Sequence, residues 1–408
     1  MNDWVTYRLG DPNVSSIIMG QSPDSATYNP SREGLPFFQG KADFGVRYPM
    51  PKTWCSAPTR VAEPGDILVS VRAPVGDANI AVERCCIGRG IAALRPGPRT
   101  HGEFLFYLLL HHKPDLDGLG SGAIFKSVNK DTLRDFEIAL PSVVEQRAMA
   151  AVLAKIQTAV EVQEKIVATL KELKAATMAK LFREGLRGEP LKQTEIGEIP
   201  ASWEVVRLGE VASIERGKFA HRPRNDPRFY GGAIPFIQTG DVARCNGRIR
   251  TYTQTLNEDG LAISRLFPKG TIVLTIAANI ADTGILEFDS AFPDSLVGIT
   301  PDETMDPVFL EYYLRTQKAE MNRLAPKGTQ KNINIEFLKP WPTPHPLIDE
   351  QRKIAQSLRR LDDRLQAASV QRETLKSLFS SMLHLLMTGQ VRVTGLTALD
   401  GQLPSRRT

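Results

Sequence analysis

Nothing in this 408-residue chain is apolar for the roughly 20 residues that a membrane helix needs; the run "FLFYLLL" at 104–110 stops far short. The opening "MNDWVTYRLG" carries no apolar signal core, so no membrane association and a cytoplasmic location are expected. Cysteine is scarce. The four present, Cys55, Cys85, Cys86 and Cys245, show neither CxxC nor Cys/His ligand spacing, which speaks for reduced, mostly buried thiols and against zinc or a disulfide framework.

Catalytic signatures are missing too. "ERGKFA" at 215–220 has a Gly-Lys pair but lacks the hydroxyl and upstream glycine of a phosphate loop. HExxH, GxSxG and the Asp/Asn-Pro-Pro-aromatic box of base-flipping amino-methyltransferases do not occur. "GLGSG" at 118–122 lacks a strand-to-helix setting and reads as a flexible turn; His111 and His112 read as the end of a short helix. The expectation is a non-catalytic chain without a cofactor or metal of its own.

A large charge surplus is also absent. The chain has 51 basic and 46 acidic residues, and residues 1–143 and 203–345 are each balanced, at 15 of each sign and 17 of each sign. The excess lies in the segments that follow, mainly the C-terminal one, a weak pointer to a polyanion.

What the chain does contain is itself, twice. "EQRAMAAVL" at 145–153 returns as "EQRKIAQSL" at 350–358. "YRLG" (7–10) and "LPFFQGKADF" (35–44) return as "VRLG" (206–209) and "IPFIQTGDVA" (234–243) at an offset of 199. "EPGDILVSVRAPVG" (63–76) answers "FPKGTIVLTIAANI", and "EFLFYLL" (103–109) answers "VFLEYYL", at 205, so the second copy holds a six-residue insertion. Order and spacing kept over this length mark an internal duplication.

Each copy has two textures. About 140 residues rich in Gly and Pro, with short runs such as "DILVSV" and "TIVLTI" and one short apolar helix, predict a mixed α/β globule. Then come some forty residues without Pro or Gly, from Val144 to Glu184 and from Asp349 to Thr388. Steps of three and four from Met149 reach Val152, Ile156, Ala159, Gln163, Ile166, Leu170, Leu173 and Thr177. From Ile354 they reach Ser357, Leu361, Arg364, Ala368, Gln371, Leu375, Leu378 and Met382, with Leu358, Leu365 and Leu385 widening the seam. That spacing predicts a coiled coil. Ser142 with Glu145 reads as a capping box, and Gly185 and Gly389 sit where the helices should stop. The predicted fold is α+β: two tandem globules separated by two long helices in an antiparallel coiled coil with pseudo-two-fold symmetry. The segments are 1–143, helix 144–184, linker 185–202, 203–345, helix 346–390 and tail 391–408. Two separate amphipathic helices, each on its own globule, are the alternative.

"TEIGEIPASWEVVRLGEV" (194–211), "GDILVSVRAPVG" (65–76), "PKGTQKNINIEFL" (326–338) followed by "EQRKIAQSL", and "LLMTGQVRV" (385–393) together resemble the specificity subunit of a type I restriction-modification system. The resemblance spans nearly the whole chain; the first copy departs from it with "SGAIFKSVNKDTL" (121–133) and "CCIGRGIAAL". It implies that each globule is a target-recognition domain for one half of a split duplex-DNA sequence. It also implies that the helices hold the domains apart and dock two methyltransferase subunits, with restriction subunits joining them. S-adenosylmethionine, ATP and Mg would then sit on those partners. Two heads at a fixed separation suit two words divided by an unread gap.

Bases are read mainly by Arg, Lys, Asn and Gln, while phosphates are held by cations and amides. In the second domain "RGKFAHRPRNDPR" gathers Arg216, Lys218, Arg222, Arg224 and Arg228, and "RCNGRIR" adds Arg244, Arg248 and Arg250. Either cluster reads equally as a solvated face. The loop with Lys327, Gln330, Lys331 and Asn332 is a further candidate, with Lys126 and Asn129 in its first-copy counterpart. Gln39, Lys41, Arg47 and Arg72 are candidates in the first domain, and Gln39 and Gln238 are read either as contacts or as buried hydrogen-bonders. For partner docking the candidates are Ile156, Ile166, Leu170, Leu173, Leu361, Leu375, Leu378 and Met382. A coiled-coil scaffold joining two modules without DNA specificity, and an enzyme with an unrecognised site, are the competing functions.

Overall fold

A computed structural model describes residues 4–120, 127–221, 223–277, 279–326 and 332–393. The chain divides into two compact units, Met1–Lys165 with Ser369–Thr408, and Ile166–Ala368. Among the described residues no helix is long and apolar enough to cross a membrane.

In the first unit, strands Ser15–Met19, Ile91–Pro96, Ile67–Ser70 and Ala78–Ile80 form an antiparallel sheet in that order. Its β-branched and Leu side chains pack on the buried helix Gly102–His111. A second sheet, of five short strands, carries Phe37 beside Cys86 in parallel register. The ribbon Val5–Arg8 with Glu137–Leu140 closes the globule.

The second unit repeats this with strands Ala212–Arg216, Leu296–Pro301, Ile272–Thr275 and Thr283–Leu286, to which Gly247–Ile249 adds in parallel. Helix Pro307–Thr316 takes the place of Gly102–His111. Phe236 lies beside Ala291 in the register of Phe37 and Cys86. The ribbon here is Glu204–Arg207 with Pro342–His345, and the hairpin Leu191–Pro200 precedes it. A buried ion pair further distinguishes the second unit. Glu311 is buried and accepts from Arg315 and from the Thr283 hydroxyl, where the first copy has Phe106, Leu110 and Ala78. Gly247, at φ +88°, lies under the Arg315 guanidinium, where a Cβ would meet Nη2 at 1.6 Å.

The two long helices are Val143–Glu184 and Ile348–Met387. The Ser142 hydroxyl accepts from the Glu145 N–H at 3.3 Å, but the Glu145 carboxylate does not complete a reciprocal box, because it is held by Arg392. Gly185 and Gly389 follow the helices at φ +61° and +69°, a left-handed turn that glycine adopts without steric cost. Each unit contains the first part of one helix and the last part of the other. In the first unit Glu164 meets Lys376 and Glu145 meets Arg392; in the second Lys174 meets Asp362 and Arg187 meets Glu350. Position falls along one helix as it rises along the other, so the pairing is antiparallel. The two-separate-helices alternative is overturned.

The seam takes the other phase of the heptad. From Met149 the buried path steps by four to Leu153 and continues through Gln163, Val167, Met178 and Leu181; from Ile354 it reaches Leu358, Ala368 and Leu386. Gln163, Ala368 and Ile354 stand where expected, and Ile156, Leu170, Leu361, Leu375 and Met382 are half-buried. Val152 and Ala159 are only half-buried, and Ser357, Arg364 and Gln371 are exposed. Ile166, Leu173 and Leu378 are 42%, 48% and 45% exposed. Two heptad phases share every second seam position, so the sequence pattern supports both; packing on the globules selects one.

"EQR" is repeated for a reason at the helix starts. Gln146 accepts from the His101 N–H at 2.8 Å and donates to the carbonyls of Arg99 and Pro141, both at 2.9 Å. Gln351 does the same with the Asp306 N–H and the carbonyls of Thr304 and Pro346, at 2.7, 2.9 and 2.8 Å. One buried amide thus ties each long helix to its globule and satisfies three backbone groups that burial would otherwise leave unpaired.

All four cysteines are free thiols, with Cys55, Cys85 and Cys86 buried. Burial pushes Cys85 up to about 12 and Cys86 and Cys245 up to about 11, so these three are protonated at neutral pH.

Candidate nucleic-acid interface

In both units the turn after the central hairpin strand is built alike. Ser70 Oγ donates to the Pro74 carbonyl at 2.8 Å and accepts from the Asp77 N–H at 2.9 Å. Thr275 Oγ1 donates to the Asn279 carbonyl and accepts from the Asp282 N–H at 2.9 Å. A lysine from the short helical segment downstream then grips the turn: Lys113 on Asp77 at 2.7 Å, and Lys318 on Asp282. The offset of 205 makes these pairs equivalent, which is the sequence signal that could have found them.

A second segment clasps each turn. Arg72 pairs with Ser127 as an isolated antiparallel bridge, and Ala277 pairs likewise with Asn332. Val128 N–H to Val71 O at 2.9 Å and Ile333 N–H to Ile276 O at 3.0 Å extend the clasp. Two loops distant in sequence therefore form one surface in each globule. Arg72 and Asn332 stand on it, exposed. Lys41 joins the first of these surfaces by pairing with Asp77 at 2.8 Å. Lys126, Arg222, Lys327, Gln330 and Lys331 lie outside the described residues.

The remaining candidates divide by what holds them. Gln39 is exposed, so the buried alternative is excluded for it. Gln238 is half-buried; its amide donates to Gln254 at 2.9 Å. The Arg47 side chain, 13% exposed, pairs with Glu103 on the buried helix. Asn129 is exposed. Its side-chain oxygen accepts from the Thr132 N–H at 2.8 Å and caps helix Lys130–Asp135, as Asn334 does for Phe337 at 2.9 Å. Its equivalent is therefore Asn334, outside the candidate loop.

In the second globule Arg216 donates to the Asp294 carbonyl at 2.6 Å and Arg224 pairs with the Asp294 carboxylate. Arg228 holds Asp226 at 2.9 Å, and Arg248, 21% exposed, holds Glu287. Lys218 and Arg250 are exposed and have no ion pair among the described residues. Arg244 is 70% exposed and tethered to Asp241 at 3.2 Å. Arg224, Arg228 and Arg248 thus neutralise local carboxylates.

The family model of the type I restriction modification DNA specificity domain matches residues 52–172 and 200–376. The chain belongs to that family. It is 42% identical over 186 residues to a Methanocaldococcus jannaschii protein provisionally named the MjaX type I restriction enzyme specificity subunit, a match covering 45% of this chain and 44% of that one. It thus spans under half the length of that relative. It is 27% identical over 314 residues to the MjaVIII specificity subunit of the same organism, covering 72% and 71%. Its fold is similar to that of the S subunit of a type I restriction-modification system from M. genitalium, with a TM-score of 0.64 at 15% identity, over 95% of this chain and 97% of that one. The family thus rests on the sequence match, and the fold similarity covers nearly the whole chain.

Proposed function

We propose that the chain is the non-catalytic DNA-recognition subunit of a type I restriction-modification complex. Each globule reads one half of a bipartite duplex target, and the long helices set the spacing and dock two methyltransferase subunits, with restriction subunits joining. S-adenosylmethionine, ATP and Mg belong to those partners in this reading. The observation that carries it is the duplicated clasp, in which Arg72 with Ser127 and Ala277 with Asn332 build the same two-loop surface from divergent copies of one sequence. A conserved frame with divergent surface residues is what two unlike half-sites require.

The exposed Ile166, Leu173 and Leu378 suit partner docking, since apolar side chains off the seam have no use within the coiled coil. The test is co-purification with the products of neighbouring genes, followed by sequencing of host DNA for modified adenines. A methylated motif in two parts with a constant gap is expected. A complex that forms but leaves no such motif would return the scaffold reading to first place.

A further inference from the structure

The second long helix opens on a cluster of cations. Residues 348–368 of the second long helix carry Arg352, Lys353, Arg359, Arg360 and Arg364 against Asp349, Glu350, Asp362 and Asp363. Two of those carboxylates are consumed internally. Glu350 accepts from the Leu186 N–H at 3.0 Å and pairs with Arg187, and Asp362 takes Lys174 and the Tyr312 hydroxyl. The cations are not: Arg352, Lys353, Arg359 and Arg360 are exposed and form no ion pair among the described residues.

These four line one groove with Asp306 and Asp363. Asp306 is occupied in accepting from the Val308 and Phe309 N–H groups, both at 2.9 Å, so Asp363 is the one uncommitted acid there. The groove's apolar members, Val308 and Ala355, are partly or fully covered. The cores of protein-docking surfaces are rich in exposed aromatic or aliphatic anchors; this groove has cationic heads and no such anchor. Such chemistry fits a phosphate backbone. In the first unit Arg147 and Lys155 take the places of Arg352 and Arg360, exposed and without ion pairs among the described residues, while Ala148 and Ala154 replace Lys353 and Arg359.

We infer that Arg352, Lys353, Arg359 and Arg360 form a phosphate-binding surface for duplex DNA, separate from the base-reading loops. This rests on the DNA-recognition reading above. The groove borders the start of helix Pro307–Thr316, whose far end leads to Lys318 and the clasped turn, about 15 Å along the axis. That is under half of one duplex turn of roughly 34 Å, a separation short enough for one duplex to bridge.

The test is the salt dependence of binding to a random-sequence duplex, using the full chain purified with the subunits encoded beside it. Each phosphate contact contributes a slope of about 0.9 in log affinity against log salt, so R359A/R360A should lower the slope by about 1.8. R359K/R360K should keep it, and the preference of each protein for a methylated host motif over scrambled duplex should not change. Alanine is a strong helix former at these exposed positions, and an unchanged melting midpoint verifies folding. An unaltered slope in R359A/R360A, where the parent binds DNA, sinks the inference. Loss of the co-purified subunits with the slope intact does so as well, and assigns the groove to an acidic protein segment. If the parent itself binds no duplex, the DNA-recognition reading fails first.

Discussion

The Tyr312 hydroxyl donates to the Asp362 carboxylate at 2.6 Å, and at the equivalent place in the first unit the Tyr107 hydroxyl donates to Gln157 at 2.7 Å. The third member differs: Lys174 joins Asp362, whereas the Phe379 ring lies 6.1 Å from that of Tyr107. One junction between globule and helix pair is ionic in the second unit and neutral in the first. Lys174 is 15% and Asp362 28% exposed, so solvent screens the pair only in part. Lys174→Ala, which strands the carboxylate, should cost about 1–2 kcal/mol. The double variant Lys174→Phe with Asp362→Gln, which copies the first unit, should cost less than Lys174→Ala alone. Urea unfolding of the parent and these two variants measures this, and a double variant that loses as much stability as Lys174→Ala would contradict it.

Gln351 and Gln146 should tolerate no apolar replacement. Gln351→Leu leaves the Asp306 N–H and two carbonyls without their partner in a buried setting, a loss of about 3 kcal/mol. Gln351→Glu should recover little, because it can accept but not donate. Denaturation midpoints decide between these outcomes.

The seam phase separates stability from assembly. Leu358 is fully buried, and Leu358→Ala should destabilise by about 2–4 kcal/mol. Leu173, 48% exposed, should lose under about 0.5 kcal/mol on truncation. If Ile166, Leu173 and Leu378 face partner subunits, their triple alanine variant folds normally yet fails to retain those subunits on affinity purification.

Arg72→Ala and Arg244→Ala should each weaken one half-site only. A base contact should cost about 1–3 kcal/mol against its own word and nothing against the other. Competition binding with duplexes mutated in one word at a time reads this out. Uniform weakening across all duplexes would reassign the residue to the phosphates.

His111 gives an acid dependence of definite sign. Burial holds its pKa below the ordinary imidazole value, with the neighbouring His112 and His384 acting in the same direction and Asp115 opposing. The rings stand 5.1 and 5.6 Å from that of His111. The unfolded chain then binds the proton more readily than the folded one, so this contribution to stability is present above the unfolded pKa and is lost as pH falls through it. His111→Asn should narrow the gap between melting midpoints taken at roughly pH 5 and pH 7.5. Burial depresses His101 in the same way, so part of the gap should persist.

The duplication, the two textures of each copy, the helices with their stops at Gly185 and Gly389, and the family were all legible in the amino-acid order. Each is written in spacing between residues near in sequence, or in one stretch set against its repeat. Local periodicity is enough for such features, because helix and strand periods follow from backbone geometry alone. The structure alone decided the rest. Which heptad phase faces inward depends on how the globules pack, since Leu358 and Ser357 both satisfy a three-four rhythm. Whether a cation is available depends on which carboxylate folding brings beside it. Arg47 and Arg248 meet Glu103 and Glu287 from 56 and 39 positions away, while Arg359 and Arg360 meet none among the described residues. Coulomb pairing acts through space, and no spacing rule along the chain encodes it.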